Sequence, residues 1–495
     1  MTYTLGVDIG TFESKGVIAD AAGRVIAEAR APHQMLVPEP GWAEHRAEED
    51  WWGDFVKIAR ELLAASGVKP GEISAIAASA IGPCMLPVDA EGRPLMNGVL
   101  YGVDTRAAEE IAELTSEIGA ARVLETCGNA LTSQSVGPKI LWLRRKRPEI
   151  FAKAAKFLTA TSYLTYRLTG ETVIDHYTAA GFSPLYDVAR RDWSAELARG
   201  IVEPERLPKL MWSSEIVGRV TARAAAETGL AEGTLVTCGT IDAAAEAVSV
   251  GVARPGDMMM MYGSTIFIIE LTASRVSDPR LWYAPWLFPG EHASMAGLAT
   301  SGTLTHWFRD RFARELPREA AFAALATEAE ASPKGAKGLL CLPYFSGERT
   351  PLHDPKAKGA FFGLNLTHDR GDMYRAVLEG IASATAHIAD TYREAGAAPT
   401  RVLAVGGGTK NAVWMQAASD LSGLTQIVSE KTVGASYGDA FLAALAIEKV
   451  SRGDIAAWNP PAREVRPETC DAYARQYPLF RALYESTKEI AHALG

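Results

Sequence analysis

The pattern that most constrains this chain is a short arrangement that occurs twice, at the start and again near the middle. Residues 3 to 9, Y-T-L-G-V-D-I, read as a buried strand entering a glycine turn. S-K-G-V-I-A-D and R-V-I-A-E-A-R then read as two further strands, joined near Ala21, Ala22 and Gly23. In the second half Met258 to Tyr262 is an apolar run, Gly263, Ser264 and Thr265 form a turn, and I-F-I-I-E follows as a strand. A strand, a small-residue turn and a returning strand, used twice, point to internal duplication. The length agrees, since 495 residues exceed one ordinary core and call for two large domains. Gly251 to Gly256, G-V-A-R-P-G, carries proline and two glycines, so the boundary is placed there, giving domains at 1–250 and 251–495.

Helical signals fill the intervals. From Asp369 the positions Met373, Val377, Ile381, Ala384, Ile388 and Tyr392 keep helical spacing, with Asp369 as N-cap and Gly396 as the stop. A second helix holds Lys139, Ile140, Trp142 and Leu143 and closes on Arg144 to Arg147 before Pro148. Cations suit the negative end of a helix, so this basic run is read as structural and not as a nucleic-acid contact. Strands and helices in both halves make the fold class α/β.

Composition excludes several functions. Hydrophobic residues at 48% and charged residues at 22% describe a globular protein rather than a disordered one. The net charge of −9 argues against nucleic acid as a partner. Any polyanion bound by so acidic a chain needs a local pocket of donors and a cation. The five cysteines, Cys84, Cys127, Cys238, Cys341 and Cys470, have no metal-ligand spacing and no C-x-x-C, so free thiols in a reducing compartment are expected. The opening M-T-Y-T-L-G-V-D lacks a leader pattern, and the greasiest stretch, Met258 to Ile269, is interrupted by Gly263, Ser264 and Thr265. The cytoplasm is therefore the expected location, with no membrane partner.

Four glycine turns carry candidate phosphate chemistry. G-V-D-I-G-T, Gly6 to Thr11, sets a carboxylate at a strand end beside a Gly-Thr turn. Gly10 permits close approach of backbone to phosphate, and Thr11 and neighbouring N–H groups donate. Asp8 repels bare phosphate and makes sense with Mg²⁺ between them, through waters; Lys15 offers a cation to a terminal phosphate. The same D-x-G-T stretch also reads as a plain hairpin connection. Gly263-Ser264-Thr265 is a second donor turn, and Ser301-Gly302-Thr303 has the same form; both are also ordinary turn chemistry. V-G-G-G-T-K-N, Val405 to Asn411, joins an apolar run to a helix whose face is Val413, Ala417 and Leu421 and whose end is Gly423. Glycines there let a flat ligand lie on backbone, and the helix start favours phosphate. A tight turn without a ligand is the alternative. No Walker loop is present, and the spacing differs from the dinucleotide fingerprint.

Asp242, in C-G-T-I-D-A-A-A-E-A, follows an apolar strand and a glycine and precedes an alanine-rich helix. An acid at a strand–helix junction points to where open α/β sheets bind ligands. Phosphoryl transfer needs alignment, charge stabilisation and a base for the attacking hydroxyl. Asp242 fits that base, or else it is the N-cap of the following helix.

Taken in order, these pieces resemble the FGGY carbohydrate kinase family of the actin–Hsp70–hexokinase fold class, and within it the xylulokinase-like branch. G-A-F-F-G-L-N-L-T-H-D-R-G-D-M-Y-R-A-V-L-E, Gly359 to Glu379, resembles the family's C-terminal signature, and S-V-G-P-K-I-L-W-L, Ser135 to Leu143, resembles the other. The resemblance implies two actin-like, ribonuclease H-like domains flanking an interdomain cleft, with ATP and Mg²⁺ and a sugar acceptor. It assigns Asp8 to the metal, Gly10, Thr11 and Lys15 to the phosphates, and Asp242 to the catalytic base. Gly263 and Ser264 match the second phosphate turn, Gly302 a nucleotide-contacting glycine, and Gly407, Gly408 and Asn411 the adenosine-binding turn. Homodimers are common in the family, while the sequence itself carries no signal of oligomeric state.

For the sugar, Gly41 to His45 resembles a segment near the family's sugar cleft, and Gly102 to Arg106 resembles W-N-D-x-R, keeping Asp104 and Arg106. That pair either binds vicinal hydroxyls or makes a surface ion pair. The chain departs from the pattern in having Gly82, Pro83 and Cys84 where Met-His-Gly is usual, and Ala243 where Asn is usual. Lost donors change which hydroxyl pattern is selected. The expectation is ATP-dependent phosphorylation of a ketopentose, D-xylulose to the 5-phosphate first. Ribulose, erythritol or glycerol-type acceptors and a non-catalytic ATP or sugar sensor are the alternatives.

Overall fold

The computed structural model describes residues 2–494. The chain forms two compact units, one of Met1–Ala253, Tyr283–Ala293 and Val433–Asn459, the other of Arg254–Trp282, Ser294–Thr432 and Pro460–Gly495.

The first unit is built on β1 (Tyr3–Ile9), β2 (Glu13–Asp20), β3 (Val25–Pro32), β4 (Ile73–Ala80), β5 (Ile216–Arg219), β6 (Leu235–Thr237) and β7 (Thr240–Ile241). The order is β5-β6-β4-β1-β2-β3, with β7 also on β4. The β1–β2 pair is antiparallel, while β1 and β6 both run parallel to β4. Leu5, Val7 and Ile9 are all fully buried, and so is Gly6 between them. That is why the strand reads as a nearly continuous apolar run rather than an alternating one: both faces are covered. The helices that matter here are α1 (Asp54–Ser66), α2 (Val136–Lys146) and α3 (Asp242–Ser249). The basic end of α2 behaves as its charge predicts, with Arg145 paired to Glu113 at 2.5 Å on the surface.

The second unit repeats the plan. Its β8 (Asp257–Tyr262), β9 (Ile266–Thr272), β10 (Arg401–Val405), β11 (Gln426–Ser429) and β12 (Pro461–Val465) lie in the order β9-β8-β10-β11-β12. Antiparallel, parallel, parallel and antiparallel pairings follow one another, as they do along β2-β1-β4-β6-β5. The duplication read from two short turns is thus a duplication of sheet topology, and the α/β class holds for both units. Helices α4 (Gly302–Phe312), α5 (Arg370–Glu394) and α6 (Ala412–Ser422) pack here. Asp369 caps α5 in a reciprocal box with Asp372, at 3.1 and 3.0 Å, and Gly396 follows its end with φ of 78°. Val377, Ile381, Ile388 and Tyr392 are its buried stripe.

The segment Val433–Asn459 rejoins the first unit and carries α7 (Ala435–Ala446). This helix lies against β1 and α3 at backbone distance. A Cβ on Gly6 would sit 1.9 Å from the Ser436 carbonyl oxygen, and one on Gly438 1.9 Å from that of Ala245. Thr4 Oγ1 donates to the Ala440 carbonyl at 2.8 Å. None of the five cysteines is in a disulfide among the described residues. Among the described residues no helix is long and apolar enough to cross a membrane.

Candidate active site

In the first unit the ends of β1 and β7 and the start of α3 bring acidic side chains together. Asp8 is 8% exposed, and Lys15 is its direct cross-strand partner on β2, so both project from the same face. Asp242 is the first residue of α3, after Ile241 at the N-cap position, where no side chain caps the helix. Its Oδ1 accepts only from the neighbouring Ala243 N–H, at 2.7 Å. The N-cap alternative is therefore not what the structure contains. Glu246 stands one turn further on and accepts from the Ala435 N–H at the start of α7. From α7 itself comes Asp439, fully buried, whose Oδ2 accepts from Ser79 Oγ at 2.7 Å; the same hydroxyl lies 3.4 Å from Asp8 Oδ1.

Four carboxylates thus share one neighbourhood with a single lysine. Burial pushes Asp242 up to about 7. It pushes Glu246 up to about 7 as well, against the pull of Lys15. Asp8 is held well above the usual carboxylate range by burial and then by the charges of Asp242, Asp439 and Glu246. Asp439 is raised chiefly by burial. Such a set either keeps protons or meets a cation. Among the described residues no three His, Cys, Asp or Glu side chains are grouped as a metal cage. One or two carboxylates facing a water-rich ion that also binds phosphate is the mode suited to Mg²⁺, and Asp8 fits it.

Beside this cluster runs the Gly10–Thr11 turn. Thr11 Oγ1 is 3.1 Å from Tyr101 Oη. The Lys139 ammonium, buried in α2, holds the Leu100 and Tyr101 carbonyls at 2.5 and 2.9 Å. Burial lowers this lysine to about 8. The signature around Ser135 to Leu143 thereby acts on the turn at second hand, through Tyr101. Gly82 abuts the residue before the candidate base, since a Cβ there would lie 3.1 Å from Ile241 Cγ1. Pro83 and Cys84 are buried, and the Cys84 N–H donates to Thr159 Oγ1 at 3.3 Å.

Asp104 and Arg106 are a buried pair, neither displayed for hydroxyls nor on the surface. Both side chains are 0% exposed, and Arg106 Nη2 reaches Asp104 at 2.8 Å and Glu44 at 2.9 Å. The two oxygens of Asp104 take the N–H of Ala43, the N–H of Arg106, and its Nε and Nη2. The guanidinium lies 3.9 Å from the ring centre of Trp42 and 5.1 Å from that of Trp142. Desolvated cations beside an aromatic floor and two carboxylates build a rigid loop, and that is the visible role of this pair.

In the second unit a cleft of roughly 510 Å³ is lined by Gly263, Ser264, Gly302, Gly407, Gly408 and Asn411. All six residues of this unit that the sequence marks as nucleotide candidates thus line one cavity. Gly302 N–H donates to the Gly263 carbonyl at 3.0 Å, and a Cβ at 302 would meet that oxygen at 2.5 Å, so only glycine lets the two turns touch. Asn411 caps α6 by accepting from the Trp414 N–H at 3.0 Å. Beside Thr305 and Lys410 the remaining wall carries the rings of His306, Phe322, Tyr374 and Trp414, surfaces suited to a flat heterocycle. His306 meets Phe322 edge-on at 4.9 Å. None of these four was legible in the sequence, because they come from separate helices. Glu246 had a signal: i+4 spacing from Asp242 sets both acids on one helical face. Asp439 had another, a lone acid inside the apolar run of α7.

Comparison with known proteins was made against this geometry. The family model described as FGGY family of carbohydrate kinases, N-terminal domain, matches residues 3–249, and its C-terminal counterpart matches 258–447. Xylulose kinase of Escherichia coli (strain K12) is 32% identical over 490 residues, 97% of this chain and 98% of that protein. Xylulose kinase of Bacillus subtilis (strain 168) is 29% identical over 506 residues, 100% of this chain and 99% of the relative. Among solved structures, xylulose kinase from Rhodospirillum rubrum superposes with a TM-score of 0.93 at 32% identity, covering 99% of this chain and 100% of the other.

Proposed function

The chain belongs to the FGGY family of carbohydrate kinases and is a sugar kinase, and from that premise we propose that it phosphorylates D-xylulose at O5 with Asp242 as general base. The observation that carries this reading is the freedom of Asp242: an acid at the mouth of a strand–helix junction, with no capping duty and no ion-pair partner among the described residues. The names of relatives at 29–32% identity supply the sugar. In the proposed step the acceptor hydroxyl gives its proton to Asp242. Its oxygen bonds to the γ-phosphorus, and the bond from that phosphorus to the β,γ-bridging oxygen breaks to release ADP. Thr11 and Lys15 stabilise charge on the moving phosphoryl group. Mg²⁺, faced by Asp8, would neutralise the phosphate oxygens. The glycine turns at 263, 302 and 407–408 hold the nucleotide, with the base against Phe322 and His306.

One observation keeps a second acceptor class in view. Gly82-Pro83-Cys84 and Ala243 bring no amide or imidazole donor to the neighbourhood of Asp242. A ribulose, erythritol or glycerol-type acceptor is the rival reading. A coupled ADP-release assay over D-xylulose, both ribuloses, erythritol and glycerol decides it. The highest kcat/KM is expected with D-xylulose. Turnover with none of them, alongside intact ATP binding, ends the D-xylulose reading and these rivals together.

The base must be ionised to act. Because Asp242 is pushed up to about 7, kcat/KM is expected to rise with pH through that region, with a broadened limb where Glu246 titrates beside it. The same shift makes this acid favour the folded state fully below the unfolded value of 3.8, a contribution lost as pH rises through about 7. A flat profile from pH 5.5 to 8.5 with a chemistry-limited substrate would remove Asp242 from the role.

A further inference from the structure

The carbonyl side of the turn after β1 is gripped by two buried histidines. His33 Nε2 lies 3.0 Å from the Gly10 carbonyl oxygen, and its Nδ1 lies 2.8 Å from Asp54 Oδ2 on α1. An amide carbonyl only accepts, and Asp54 also accepts from Ser14 Oγ at 2.7 Å, so each ring nitrogen of His33 faces an acceptor, the arrangement that an imidazolium requires. Its side chain is 3% exposed. His45 is the opposite case. The Trp51 indole N–H donates to its Nδ1 at 3.2 Å, which leaves the proton on Nε2, 3.1 Å from the Thr11 carbonyl. The backbone N–H of His33 takes the next carbonyl, that of Phe12, at 3.0 Å. Three consecutive carbonyls are therefore turned toward protein donors. The N–H groups of Thr11 and Phe12 meet no acceptor among the described residues.

We propose that His33 and His45 are positioning residues that clamp the Gly10–Phe12 carbonyls so that the Thr11 and Phe12 amides present a site for the γ-phosphate, with the His33 charge behind it. This deepens the kinase reading and rests on it. Oriented amides beside a fixed cation form an anion nest whose donors need no reorganisation when phosphate arrives. The two rings have distinct duties because their surroundings differ. Burial opposes charge on His33, but the hydrogen bond and charge of Asp54, the Gly10 carbonyl and the charge of Asp50 hold its pKa above the usual value. Burial and the charge of His33 push His45 down to about 4. Asp54 and Asp50 are the charged groups facing His33, and His45 meets it edge-on at 4.9 Å. As pH rises through the raised His33 value the proton leaves, and either Gly10 or Asp54 then faces a lone pair. The clamp loosens and the amides lose their aim. ATP feels this, whereas ADP, which lacks the γ-phosphate, does not.

The test is calorimetric binding of ATP and of ADP, with Mg²⁺ and without sugar, at pH 7 and pH 9. In the wild-type protein the preference for ATP over ADP is expected to fall about tenfold at the higher pH, the scale of one charge-assisted hydrogen bond. In His33→Gln, which keeps a donor and loses the charge, the preference is expected to be low already at pH 7 and to change between the two pH values several-fold less than in the wild type, with ADP affinity within about twofold of wild type. A wild-type ratio that does not change with pH overturns the clamp without recourse to any variant. So does a His33→Gln protein with wild-type ratios. A protein that binds ATP but phosphorylates no sugar defeats the kinase reading and leaves this comparison intact, because no acceptor is present in it.

Discussion

Asp242→Asn is expected to lower kcat by roughly 10²–10⁴ while ATP affinity stays within about twofold. The substitution is nearly isosteric, and the amide oxygen still accepts from the Ala243 N–H that now engages Oδ1 at 2.7 Å. The start of α3 therefore keeps its geometry. What disappears is an acceptor for the hydroxyl proton, in a place where burial already favours taking one up. The nucleotide cleft is lined by none of the α3 residues, so its affinity has no reason to change. The residual rate comes from alignment and phosphate stabilisation alone. Steady-state kinetics paired with ATP titration separates the two quantities, and an Asn variant with full turnover would end the assignment.

Gly438→Ala is expected to cost about 3 kcal/mol of stability and to damage catalysis at a distance. The new methyl would sit 1.9 Å from the Ala245 carbonyl oxygen and 3.2 Å from the Ser249 N. The obstacle is helix backbone, which cannot swing aside as a side chain does, so α7 and α3 must separate. Asp242 and Glu246 ride on α3, and Asp439 rides on α7 one residue from the substitution. A displacement near 1 Å is enough to cost about 10² in rate. Chemical denaturation with a turnover assay on the still-folded protein reads both effects. A variant as stable and as active as wild type would mean that the two helices are not in backbone contact.

Local features of this protein were legible in consecutive residues. The strand of residues 3 to 9, the hairpin that follows it, the capping of α5 by Asp369 and the glycine turns at 263 and 406–408 are each written within a few positions. Torsional preference, hydrophobic period and capping act over such distances. The same locality exposed Asp242, an acid where a strand gives way to a helix. The recurrence of one strand–turn–strand unit implied two related sheets, and their pairing patterns are the same.

Contacts between remote segments were not legible. Asp439 meets Ser79 across 360 positions, and Trp42, Glu44, Asp104, Arg106 and Trp142 come together from three stretches. Asp104 and Arg106 read as a pair open to hydroxyls or water, and packing made them a desolvated ion pair instead. Segment 433–459 carries no local mark that it returns to the first unit, for its alanines and glycines say only that something passes close. The sequence alone determined the turns, the helices and the candidate base. The tertiary structure decided which charges share low-dielectric space, and therefore which acids hold protons and which histidine is charged. Burial and Coulomb energy depend on distances through space that one-dimensional spacing does not encode.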